Sequence, residues 1–248
     1  MIRQAVLLCG GKGTRLRPYT DTMSKQMLPV GGHPITEWNI VQFRKHGVKD
    51  FFINLHTKPD VMRNYFGDGS KWGVNITFNY EPETPGTAGS VKLFEDKLDD
   101  EFFVIYGDML SLVDYSKMER VWREKPAGAL GMQRMHETDN YADADVAELD
   151  LQGKFLAIHP KPHTTTYPHA YRMRGVFILK KEILSYVPPA IYYEIGRDLL
   201  PDVVGRGKAF YSYECDDYSK GFDTEEKWRE IEAYLTSRDI TYESVARG

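Results

Sequence analysis

The sequence predicts an α/β fold, an open parallel sheet wound with helices, and three observations predict it. Apolar runs within Gln4 to Cys9 and Glu101 to Tyr106 suit strands covered on both faces, since half-exposed strands alternate with polar residues. Helix-length stretches separate the apolar runs in a β-loop-α-β-α-β rhythm. A glycine-rich segment follows the first run directly, at the carboxyl end of a strand, where open α/β sheets gather their ligands.

In chain order, the expected elements begin with a strand at Gln4 to Cys9, a loop, and a helix at Pro34 to His46. Strands follow at Asp50 to Leu55 and Asn75 to Tyr80, with a helix at Pro59 to Phe66 between them. A helix opens at Thr87 and runs to Phe94, before the buried strand Glu101 to Tyr106. Further strands are expected at Ala127 to Met135 and Val146 to Leu151, separated by the polar stretch His136 to Asp145. A loop rich in proline and histidine, His159 to His169, precedes a strand at Val176 to Leu179. The tail carries a helical stretch at Tyr193 to Val204, a strand at Ala209 to Glu214 and a charged helix from Thr224 to about Ser237. No repeat, low-complexity block or linker divides the chain, which predicts one domain over residues 1–248.

Composition narrows the function classes. The chain has 248 residues, 42% of them hydrophobic, enough to bury a core. A net charge of -4 and the lack of a basic-aromatic stripe argue against nucleic-acid binding, so anion chemistry must come from a local cluster. The apolar run Ala5 to Cys9 is too short to span a membrane and lacks a cleavage pattern, so a cytoplasmic location is expected. Cys9 and Cys215 have neither metal nor redox spacing.

The loop reads Gly10-Gly11-Lys12-Gly13-Thr14-Arg15-Leu16-Arg17-Pro18. Glycines let a ligand approach the main chain, successive amides form an anion-binding concavity, and Lys12, Arg15 and Arg17 add charge. Its spacing is not that of a P-loop, and Leu16 occupies the third-glycine position of a dinucleotide fingerprint, which weakens an oxidoreductase reading. Ser24-Lys25-Gln26-Met27-Leu28-Pro29-Val30 then brings a second cation back toward the same place.

Together, Leu8 to Val30 resembles the signature of the sugar-1-phosphate nucleotidyltransferases, with Ser24-Lys25-Gln26 similar to the form in glucose-1-phosphate thymidylyltransferases. Cys9 stands where the family usually has alanine. The resemblance, which also takes in mannose-1-phosphate guanylyltransferases, implies a Rossmann-like three-layer fold of the nucleotide-diphospho-sugar transferase type. Its central sheet would be mostly parallel but mixed. Residues 1–115 would form the nucleotide-binding half and 116–248 the acceptor-binding half. The partners implied are a nucleoside triphosphate and a sugar 1-phosphate, with Mg2+ as cofactor and a homo-oligomer compatible.

The resemblance also assigns roles. Arg15 and Lys25 are the catalytic cations, while Leu8, Gly10, Gly11, Gly13 and Thr14 bind the nucleotide. Glu81, Gly86 and Thr87, in a segment similar to the family's Pro-Leu-Gly-Thr-Ala-Gly loop, join them. Asp108, closing an apolar run as Gly107-Asp108, and Asp223, in Phe222-Asp223-Thr224, are the expected metal ligands. Asp223 also suits the region of a helix N-cap. Lys161, in His159-Pro160-Lys161-Pro162, is expected to contact the sugar phosphate, with Gly175 and Glu194 against the sugar. Arg172 or Arg174 suits a more anionic acceptor. Glutamate at 81, where thymidylyltransferases often carry glutamine, accepts hydrogen bonds only and suits the N1-H and amino group of guanine. The base itself, the sugar and the oligomeric state stay open. Two alternatives stand beside this reading: a cytidylyltransferase acting on phosphocholine or a phosphonate, and a silent homologue that binds sugar nucleotides without turnover. Because the chain ends soon after the catalytic elements, no appended repeat domain is expected.

Overall fold

The computed structural model describes residues 1–137, 142, 144–167 and 171–247. Residues 138–141 and 143 of the expected polar stretch, and the end of the expected His159 to His169 loop, lie outside the described residues. The chain folds as two compact units interleaved in sequence. One comprises Met1–Thr84, Ile105–Ser116 and Asp217–Gly248, the other Pro85–Val104 and Lys117–Asp216.

In the first unit, the strands Gln4–Cys9, Asp50–Leu55 and Asn75–Tyr80 pair in parallel in that order. All six residues of Gln4–Cys9 are buried, as its apolar run requires of a parallel strand covered on both faces. The helix Ile35–Lys45 buries Trp38, Ile40, Val41 and Phe43, with Glu37 in its first turn and Arg44 and Lys45 in its last, matching the helix dipole. Proline opens the helix Pro59–Phe66, where the absent N–H costs nothing. The tail helix Glu225–Ser237 is capped by Thr224, whose hydroxyl accepts the Lys227 N–H. Trp228 ties this helix to the front of the unit by donating its indole N–H to the Pro29 carbonyl at 2.8 Å.

Three short elements of this unit carry no signal in the hydrophobic pattern. Met109–Ser111 pairs antiparallel with Ser219–Gly221, aligning Leu110 with Lys220. A short helix, Tyr242–Ala246, closed by a capping box at Thr241 and Ser244, packs on Ile35–Lys45 and stacks Tyr242 on His33.

The second unit is mixed. Ala129–Glu137 pairs antiparallel with Tyr171–Lys180 and parallel with Ala209–Glu214. Val146–Leu149 pairs antiparallel with both Tyr171–Lys180 and Phe155–His159. The strand expected at Val176 to Leu179 is therefore the end of a longer one, and Phe155–His159 was not expected. Against Ala129–Glu137, the register of Tyr171–Lys180 slips between Met173 and Phe177, a bulge centred on Arg174, Gly175 and Val176. The helical stretch expected at Tyr193 to Val204 is a wide π-type turn at Ile195–Leu199 running into an α-helix at Leu200–Gly205. The α/β class is the expected one, with a mixed, mostly parallel sheet.

Candidate active site

In the first unit the candidate groups converge on the glycine-rich loop. Gly13 is left-handed, and its carbonyl accepts the Leu16 N–H and the Thr20 hydroxyl, fixing the turn that presents Thr14 and Arg15. Ser24 to Met27 returns as a single tight turn that buries Lys25 and Gln26. The Lys25 ammonium lies 2.5 Å from the Asp108 carboxylate. Arg15, two-thirds exposed, reaches the Asp223 carboxylate at 2.7 Å, and Lys227 flanks the other oxygen of Asp223 at 3.1 Å.

The two carboxylates are brought together by backbone. The Met109–Ser111 and Ser219–Gly221 pairing continues as a 3.0 Å hydrogen bond from the Phe222 N–H to the Asp108 carbonyl. Burial raises the Asp223 pKa, but the hydrogen bond and charge of Lys227, with Arg15 and Lys25, overcome it and hold the carboxyl below its ordinary value. Lys25 is thus within electrostatic reach of both carboxylates.

Behind the loop, Asn54 links the first strand to Glu81. Its Oδ1 accepts the Cys9 N–H at 2.6 Å and its Nδ2 donates to Glu81 Oε2 at 3.0 Å. Glu81 is buried, and a Cβ placed on Gly10 would sit 2.8 Å from Asn54 Nδ2 and 3.5 Å from Glu81 Oε2. Only glycine lets the loop lie this close to the buried pair. Burial pushes the neighbouring Cys9 thiol up to about 12, so it stays protonated. Neither Asn54 nor Lys227 belongs to any motif, and a lone polar residue inside the run Asp50–Leu55 was the only hint of the first.

Among the described residues, no group of three or more His, Cys, Asp or Glu side chains is placed to hold a metal ion. Asp108 and Asp223 alone still suit magnesium, which is commonly bound through one or two carboxylates with substrate phosphates and water completing the shell.

The remaining candidates lie in the second unit. Gly86 adopts φ +81°, and a Cβ there would come 2.5 Å from the Tyr193 carbonyl oxygen. That carbonyl accepts the N–H groups of Ala88 and Gly89, while the Thr87 hydroxyl accepts the Ile195 N–H at 2.8 Å. Gly86 and Thr87 are therefore built against the segment that carries Glu194. Glu194 accepts the Tyr192 hydroxyl at 2.8 Å, and its own N–H donates to Asp198. The Lys161 N–H donates to Asp145 Oδ1 at 3.0 Å, and Gly175 is buried in the bulge. Asp145, unremarked in the sequence, also accepts the Met173 N–H on its carbonyl.

A nucleotidyl transferase family model matches residues 4–234. The chain belongs to the nucleotidyl transferase family. Among its relatives in this family, a UTP-glucose-1-phosphate uridylyltransferase of Synechocystis sp. is 30% identical over 86% of this chain, which spans 58% of that protein's length. A mannose-1-phosphate guanylyltransferase of Mycobacterium tuberculosis is 28% identical over 98% of the chain and 67% of its own length. The solved structure of HddC from Yersinia pseudotuberculosis with GMP-PN has the same fold, at TM-score 0.76 and 20% identity, covering 94% of this chain and all of that one. No described helix is long and apolar enough to cross a membrane.

Proposed function

We propose that residues 1–248 act as one catalytic domain, a cytoplasmic enzyme that joins a nucleoside triphosphate to a sugar 1-phosphate and releases pyrophosphate. The observation that carries this reading is the double pairing of Lys25 with Asp108 and Arg15 with Asp223 beside the glycine-rich loop. Two cations to receive phosphates and two carboxylates to receive a divalent ion stand together in one unit. The relatives named above act on sugar 1-phosphates, which disfavours phosphocholine as the acceptor.

A sugar phosphate oxygen is already anionic near neutral pH, so no general base is needed, and catalysis rests on positioning and charge stabilisation. The oxygen attacks the α-phosphorus in line and the bond to pyrophosphate breaks. Lys25 neutralises charge on the α-phosphate, and the exposed Arg15 guanidinium meets the departing pyrophosphate with paired donors. Asp108 and Asp223 would hold Mg2+, which when bound offsets charge between the phosphates. Leu8, Gly10, Gly11, Gly13 and Thr14 line the nucleotide with Glu81, Gly86 and Thr87, while Lys161, Gly175 and Glu194 take the acceptor.

The same reading extends to the base. A buried carboxylate whose orientation is set by Asn54 accepts hydrogen bonds and donates none, which favours guanine, with its N1-H and amino group on one edge. Pyrophosphate release over a grid of the five common triphosphates and several sugar 1-phosphates tests both points. GTP with a sugar 1-phosphate is the expected productive pair. Turnover only with phosphocholine, or binding of a sugar nucleotide without turnover, overturns the proposal.

A further inference from the structure

Four basic side chains share one patch of the second unit. Ala129–Glu137 and Tyr171–Lys180 run antiparallel with His136 directly opposite Arg172, so these two side chains face the same way. Arg134 stands two residues before His136 and joins it on that face. Arg174 begins the bulge, its carbonyl held by the Gln133 side chain at 2.7 Å. Bulges re-aim side chains, and the charge of Arg174 acts on His136 more strongly than that of Arg134 or Arg172. Arg134 is 4% exposed and anchored on the Cys215 carbonyl, Arg172 and Arg174 are half-buried, and His136 is exposed. One guanidinium is thus deep and the other two are partly exposed. The charge of Asp216 opposes theirs at the same imidazole.

Asp145 connects this patch to the acceptor candidates. Its carbonyl holds Met173, between Arg172 and Arg174, and its carboxylate holds the Lys161 backbone. The same carboxylate lies 3.6 Å from a Cβ placed on Gly196, two residues beyond Glu194. Arginines bind carboxylate and phosphate through paired N–H donors, whereas sugar hydroxyls need no such concentration of positive charge.

We infer that the acceptor carries a second anionic group, a carboxylate or a phosphate remote from the 1-phosphate, bound by Arg172 and Arg174 over Arg134 and His136. The inference rests on the transferase reading above, and it names the class of sugar that reading leaves open. The supply of such a substrate requires a preceding reaction that oxidises or phosphorylates the sugar away from its anomeric carbon.

The test compares pyrophosphate release with hexose 1-phosphate, hexuronic acid 1-phosphate and hexose 1,6-bisphosphate at fixed triphosphate. One of the two doubly anionic acceptors is expected to exceed the neutral hexose by about tenfold or more in kcat/KM. Which of them does so distinguishes carboxylate from phosphate. The R172Q and R174Q variants are expected to bring that ratio toward one, and R172K to recover part of it. A neutral acceptor preferred by the wild type, or a ratio unmoved in both glutamine variants, overturns the inference. If no acceptor releases pyrophosphate, the transferase reading fails instead, and calorimetry with the same two anionic compounds decides the patch separately. Binding weakened by R172Q and R174Q supports it, and no binding, or binding unchanged in the variants, overturns it.

Discussion

The Phe222 N–H donates to the Asp108 carbonyl at 3.0 Å, so the residue before Asp223 is held by the backbone of the other candidate metal ligand. The spacing of the two carboxylates is therefore set by a main-chain ladder, and side-chain changes at either leave the ladder intact. D108N and D223N are each expected to lower kcat by about a hundredfold or more, since each weakens charge stabilisation at the reacting phosphates. Circular dichroism is expected to stay wild-type. Near-normal turnover in either variant, measured across a magnesium titration, removes that residue from the metal role.

Arg15 is expected to behave differently from a structural arginine. Its side chain is 68% exposed, and such ion pairs typically contribute about 0–1 kcal/mol to stability. R15A is expected to melt with the wild type while losing about a hundredfold in kcat. A large fall in melting temperature with unchanged kcat contradicts the assignment.

Asn54 is expected to matter for stability and base choice together. N54A strips a partner from the buried Cys9 N–H and from Glu81, and each buried polar group so left costs about 1–3 kcal/mol. E81Q with Asn54 intact is expected to shift the triphosphate preference away from GTP, measured as the ratio of kcat/KM values between GTP and dTTP. An unchanged ratio excludes Glu81 from reading the base.

The acid limit of stability is expected to involve Glu37. Burial raises its pKa, but hydrogen bonds from Tyr65, Tyr242 and Trp72 and the charge of His33 bring it below the ordinary carboxylate value. A depressed folded pKa gives stability that is complete above the unfolded value and is lost as pH falls through the lowered one. E37Q is therefore expected to destabilise the protein near neutrality and to flatten the fall below the normal carboxylate range. Denaturant midpoints at a series of pH values check this, and parallel curves for the two proteins contradict it.

Much of the first unit was legible because its signals are strong. The runs Gln4–Cys9 and Asp50–Leu55 and the loop between Gly10 and Pro18 are long, uniform and local. The sequence singles out Arg15, Lys25, Asp108 and Asp223 one by one and carries no sign of how they pair. The Met109–Ser111 and Ser219–Gly221 strands were invisible, because three residues carry no periodicity and their pairing is non-local. Asn54 and Asp145 act through backbone groups far away in sequence, which no spacing rule records. The bulge that turns Arg174 likewise depends on how two distant strands align. In the sequence the arginines stand singly, and only the register shows that Arg172 faces His136.

The short antiparallel ladder beside Asp108 also sets the order in which the candidate site can be assembled during synthesis. The glycine-rich loop, Lys25 and Asp108 leave the ribosome before most of the second unit, whereas Ser219–Gly221 and Asp223 come after all of it. A nascent chain can therefore hold the glycine-rich loop early yet lack one of its two candidate metal carboxylates until the second unit has been made. The late strand closes a long loop onto an early one, so this ladder can form only after the residues between them have been made.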